Sequence, residues 1–297
     1  MTTHFLSGLR ASAVIAFVSA LALSPTLFAA EKEIEFPDAS QHATVTQRVG
    51  LTDVSVDYSR PNVRGREIFG GLVPYDKVWR TGANAATRIK FSDAVKIEGK
   101  DVPAGEYAFF TIPGKNEWTV ILSTKVKTWG AYDYKQDSDA LRVTVKPGTL
   151  PAPPVESFTI AFEDLKDDGA TIALKWDKTR VPVQLTTNTI DKVNAQIEAA
   201  LKNPASLDAR FYYQAASFYY DHEKALETAA KWIDTAIEKQ KEPRYFMYYK
   251  KAQIEAKLGH NDQAKAAAEK SIELLKAGEN PDESAIRNSQ LIIDGLR

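Results

Sequence analysis

The chain has 297 residues, 44% of them hydrophobic and 26% charged, with 38 Lys and Arg against 39 Asp and Glu and no cysteine. A formal net charge of −1 excludes the basic excess expected of a general nucleic-acid binder. The absence of cysteine excludes disulfides, thiolate metal sites and a cysteine nucleophile.

Residues 1–30 differ from the rest: Arg10 is their one basic residue and they hold no acid. An apolar run from Ala11 to Phe28 is broken by Ser24-Pro25 and ends in small residues before Glu31-Lys32-Glu33. A positive start, a short apolar core and a small-residue end predict a secretory signal peptide cleaved near Ala29 or Ala30. Without cysteine a lipoprotein anchor is excluded, and no later stretch has membrane-spanning length. The mature chain is expected in the periplasm or secreted.

From about Ala43 to Leu185 apolar residues alternate, as in Val54/Val56/Tyr58, Ile89/Phe91, Phe158/Ile160/Phe162 and Ile172/Leu174/Trp176. Alternation predicts nine or ten half-buried strands. Asp167-Asp168-Gly169 reads as a hairpin turn and Pro147–Pro154 as an extended loop. Residues 31–187 are therefore expected to form an antiparallel β-sandwich. Trp118, Trp129 and Trp176 read as core aromatics.

The long connection Tyr58–Asn84 holds Arg60, Arg64, Arg66 and Arg80 beside Tyr75 and Trp79. Connections this long without regular structure are often functional. One reading pairs these arginines with Asp53, Asp57, Glu67, Asp76 and loop carbonyls as structural clamps, so that Arg80→Ala costs stability more than ligand binding. The other gathers Arg60, Arg64, Arg66, Tyr75, Trp79, Arg80 and Asn84 around a small anionic or carbohydrate ligand. Guanidinium forks suit carboxylate, phosphate and sulfate, and the rings suit a planar group.

Within this stretch Tyr58-Ser59-Arg60-Pro61, Gly65-Arg66, Ile68-Phe69-Gly70, Leu72-Val73-Pro74-Tyr75 and Val78-Trp79-Arg80-Thr81-Gly82-Ala83-Asn84 follow in order. Pro103-Ala104-Gly105-Glu106-Tyr107, Trp118-Thr119-Val120, Trp129-Gly130 and Tyr132-Asp133 continue the series. Over roughly residues 37–186 the chain resembles the exported bacterial family called domain of unknown function 2911. Ala85 and Ser123 depart from its pattern, where an acid and Asn are usual. The resemblance implies export and brings no activity, so it implies no catalytic residue.

Near Thr187 the period changes to that of helices. Asn188 or Thr189 caps a helix whose apolar stripe is Ile190, Val193, Ile197 and Leu201. Further helices are predicted over roughly 206–221, 223–240, 244–258, 261–277 and 282–296. Ser217, Ala229 and Ala236 recur as Ala252, Ala264 and Ser271, 35 residues on. Residues 188–297 thus resemble a short tetratricopeptide array, a helical-hairpin repeat. Its dense aromatics offer Tyr212, Tyr219, Tyr245 and Tyr249 as candidate contacts for a protein partner.

Beyond residue 30 the histidines are His42, His222 and His260, without metal-ligand spacing. There is no G-x-S-x-G elbow and no phosphate-binding loop. Asp133, Asp137 and Asp139 read as solvated loop acids. The fold class expected is α+β, with no catalytic residue, metal or cofactor assigned. The expected function is that of a non-catalytic binding or scaffold protein. An enzyme, or a small-ligand pocket around residues 58–84, is the alternative.

Overall fold

A computed structural model describes residues 36–296, so the expected signal peptide and its cleavage site lie outside the described residues. The strands are β1 (Gln41–Val49), β2 (Thr52–Arg60), β3 (Thr87–Phe91), β4 (Val95–Ile97), β5 (Lys100–Val102) and β6 (Gly105–Ile112). They continue as β7 (Trp118–Ser123), β8 (Asp139–Val145), β9 (Gly148–Thr149), β10 (Val155–Lys166), β11 (Gly169–Asp177) and β12 (Thr179–Thr187). All pair antiparallel, in one sheet ordered β1-β2-β3-β6-β7-β8 and a second ordered β10-β11-β12-β4-β5, with β9 beside β12. The strands beyond the expected nine or ten are the short β4, β5 and β9, of three, three and two residues. Such pieces hold too few residues to display a period of two.

Alternation places one side chain in two toward a shared core. Val54 and Val56 of β2, Ile89 and Phe91 of β3 and Val120 and Leu122 of β7 bury in the same cluster as Phe158, Ile172, Val183 and Leu185 of the second sheet. β6 is buried on both faces. Phe109 joins that shared core, while Ala108 and Phe110 form a smaller cluster under Val78, Ala131 and Tyr134 of two covering loops.

Six helices follow: α1 (Thr189–Ala200), α2 (Ala209–Asp221), α3 (Leu226–Lys239), α4 (Tyr245–Leu258), α5 (Asn261–Lys276) and α6 (Glu283–Gly295). The chain is α+β. The start of α2 is fixed by the Asp208 carboxylate, which accepts from Phe211 N at 2.9 Å. α3 starts later than its pattern predicts because Glu223 and Ala225 take left-handed backbone angles, with φ of 52° and 34°. Of the six small residues of the 35-residue spacing, Ala229, Ala236, Ala252, Ala264 and Ser271 are fully buried where helices pack, and Ser217 is half-buried. Among the described residues no helix is long and apolar enough to cross a membrane.

The helices meet the sheets at the start of α1. Thr189 Oγ1 accepts from Leu51 N at 3.2 Å and lies 2.9 Å from Thr187 Oγ1. Gly50 is required here: with φ of 57°, a Cβ on it would fall 2.0 Å from Asp167 O and 2.1 Å from Thr189 Oγ1. Lys192 of α1 pairs with Asp93, and His222 Nε2 lies 3.3 Å from Asp167 Oδ2 in the β10–β11 turn.

Candidate functional site

The connection between β2 and β3 is tied to both sheets by its backbone. Its first part joins β10 of the second sheet: Val63 N donates to Glu156 O at 2.8 Å, and Phe158 N donates to Pro61 O at 2.8 Å. Its later part prolongs the first sheet beside β6, where Trp79 N donates to Thr111 O at 2.7 Å and Thr111 N to Trp79 O at 2.9 Å. Between these ties, Leu72 N to Glu67 O and Val73 N to Ile68 O close a compact turn. The loop is therefore held as firmly as a strand, although it lacks regular structure.

Pairing with Thr111 turns Trp79 inward, to 8% exposure. Its ring stacks on Trp176 at 5.8 Å and 16°, and meets Phe158 edge-on at 5.2 Å. Its indole N–H donates to Gly82 O at 3.0 Å, so the polar tip is satisfied.

Over this aromatic end lies a cavity of about 370 Å³, lined by Arg66, Lys77, Trp79, Arg80, Trp176 and Ser40 among others. Its lining contains three cations and no carboxylate. Arg66 is positioned by its own turn, with Nε donating to Val63 O at 3.0 Å and Nη2 to Asn62 O at 2.6 Å. Arg80 Nε is buried without a hydrogen-bond partner, and the Lys77 ammonium makes no ion pair among the described residues. Arg66 and Lys77 are exposed and Arg80 is half-buried, so three cations without a carboxylate gather at a water-accessible cavity, the electrostatics of an anion site.

The expected residues are thus divided. Arg66, Trp79 and Arg80 come together. Arg60 turns to β10, donating to Phe158 O at 3.0 Å and to Thr159 Oγ1 at 2.7 Å. Arg64 is exposed and away from the cavity lining. Tyr75 borders a separate cavity of about 160 Å³ with Lys115, whose Nζ lies 6.0 Å from the ring centroid. Asn84 braces the cavity wall from behind, its Nδ2 donating to Ser40 O at 3.3 Å.

The expected carboxylate clamps are not formed among the described residues. Asp57 pairs with Arg88 and His42, and Asp53 with Arg48, whereas Arg60 and Arg66 bond to loop and strand oxygens. Lys77 was not singled out by sequence, its place three residues before Arg80 being the one signal that marks it, and Trp176 was read only as the core aromatic that its 2% exposure makes it. Trp129, expected in the core, is 67% exposed.

In the helical region Tyr212 is buried in the core, and Tyr219 is half-buried, packing on Trp232 at 4.7 Å. Tyr249 is half-buried, while Tyr245 is 37% exposed beside equally exposed Phe246. A groove of about 700 Å³ runs between α1 and α2, lined by Ile197, Phe211, Phe218 and Lys250. Among the described residues no group of three His, Asp or Glu is placed to hold a metal ion. Asp139 is engaged instead, accepting from Tyr134 at 2.9 Å and from Arg142 Nε at 3.1 Å. Burial and that carboxylate push the Tyr134 phenol up to about 12.

No curated protein and no solved structure matches the chain significantly. Residues 40–185, which hold both sheets and the cavity, match the family described as protein of unknown function (DUF2911), and over this span the chain resembles that family.

Proposed function

We propose that this is an exported, non-catalytic binding protein. Its two sheets act as a β-sandwich that holds a small anionic ligand in the cavity of Arg66, Lys77 and Arg80. One observation carries the reading: three cations face a shaped space with no carboxylate in its lining, and the buried Arg80 Nε has no partner. A buried guanidinium N–H left unpaired is costly unless a ligand completes it. The cavity lining holds no histidine and no carboxylate to serve as general base beside Ser40, which favours binding over catalysis. Export rests on the signal-like first 30 residues. It places the protein in the periplasm or outside the cell.

The expected outcome is a thermal shift with sulfate, phosphate or acetate, measured against chloride at equal ionic strength. Lys77→Met and Arg80→Met should each abolish it. If the melting temperature is indifferent to all three anions, the reading is wrong.

A second reading concerns residues 188–297. We infer that these helices form a tetratricopeptide-like repeat that binds a protein through the exposed Tyr245 and Phe246. Support comes from the 35-residue spacing of buried small residues and from the open groove between α1 and α2.

A further inference from the structure

The loop between β7 and β8 carries two exposed aromatic rings next to the cationic cavity, Trp129 at 67% and Tyr132 at 84% exposure. Neither is loosely attached. Trp129 pairs as an isolated antiparallel bridge with Ala85, Gly130 N donates to Asn84 O at 3.2 Å, and Ala86 N donates to Thr128 O at 3.1 Å. Gly130 has φ of 68°, and a Cβ on it would fall 2.8 Å from Tyr132 Cε2. The Tyr132 ring therefore lies against the backbone of residue 130, in space that only glycine leaves open.

This pair of rings joins the cavity through very few atoms. Ala83 lines the cavity, and Asn84 bonds to Ser40, which lines it too. From Ala83 to the Ala85–Trp129 bridge is two residues, so the two backbones lie within about 13 Å of each other. Nothing among the described residues covers either ring, although such rings normally bury.

We propose that the anion is the acidic group of an oligosaccharide. A sugar carboxylate or sulfate sits among Arg66, Lys77 and Arg80, and a neighbouring ring stacks on Trp129 and Tyr132. The proposal rests on the anion reading given above and names its ligand class. An aromatic face has a negative quadrupole that attracts the weakly positive C–H face of a pyranose, while the sugar hydroxyls stay in water. A platform open to solvent suits such a half-wet ligand. A nucleic-acid strand would need a continuous cationic track, whereas beside these rings exposed Lys127 and Lys135 alternate with exposed Asp133 and Asp137.

The test is calorimetric titration of the mature full-length chain. The probes are trisaccharides of galacturonate, mannuronate and glucuronate, their fully methyl-esterified forms, sodium sulfate, and an eight-residue thymidylate. At least one acidic trisaccharide is expected to bind tenfold tighter than both its ester and sulfate. Trp129→Ala, an exposed position whose loss leaves the fold intact, should weaken that trisaccharide about tenfold and leave sulfate unchanged. If sulfate binds but no acidic trisaccharide exceeds it, or if Trp129→Ala changes nothing, the saccharide is overturned and the anion site stands. If no probe binds, both fail. Thymidylate binding tighter than every trisaccharide overturns the saccharide as well.

Discussion

Trp79 and Trp129 show how differently two tryptophans of one sequence pattern behave. Trp79 is inward because Thr111 bonds to its backbone on both sides, and it then stacks on Trp176. Trp79→Ala is expected to destabilise the chain by about 3–5 kcal/mol in urea unfolding. Arg80→Met, one position on, is expected to cost less than about 0.5 kcal/mol, since it removes a buried N–H that bonds to nothing. A loss from Arg80→Met as large as that from Trp79→Ala would make Arg80 a clamp after all. That Arg66, Trp79 and Arg80 belong together was legible from their clustering in one long connection. That Arg60 turns to Phe158 O was not, because its partner lies 98 residues away and is a backbone atom. Trp129 was misread for a related reason: residue type favours the core, and only the bridge to Ala85 fixes the ring outside it.

Strands and helices were legible wherever a period repeats at least twice, as in β2, β11 and α5. They were illegible where elements are two or three residues long. The junction at α1 was half legible. The helix start near Asn188 showed in the pattern, but its ties to Leu51 and Asp93 join distant positions. Those ties give the junction a pH dependence. A hydrogen bond from Lys192, helped by Ser92, holds the Asp93 carboxyl below the usual range. A depressed folded pKa contributes stability that is present above the ordinary carboxylate range and lost as pH falls through the folded value. Asp93→Asn is therefore expected to cost about 0.5–1 kcal/mol at neutral pH and nothing near pH 2, by urea unfolding at each pH. An equal cost at both pH values would remove the ion pair as its cause.

At the scale of the molecule, the buried cluster of the two sheets and the buried clusters of the helices share no residue among the described residues. Polar contacts between them include those of Thr189, Lys192 and His222. Binding at the two ends should accordingly be separable. A Tyr245→Ser, Phe246→Ser double variant is expected to lose captured protein partners from periplasmic extract and to keep the full anion-induced thermal shift. Unchanged capture would sink the tail's assignment as a protein-binding surface.

The loop from residue 61 to 79 is stitched to β10 at one end and to β6 at the other. Pulling the two sheets apart thus requires ripping that seam, and the cavity sits inside it. A ligand bridging Arg66 on one side to Lys77 and Arg80 on the other would act as a rivet across the seam. Its largest effect would be on how slowly the molecule comes undone, prolonging its life among proteases. For a chain with no disulfide to lock it, occupancy would then set durability.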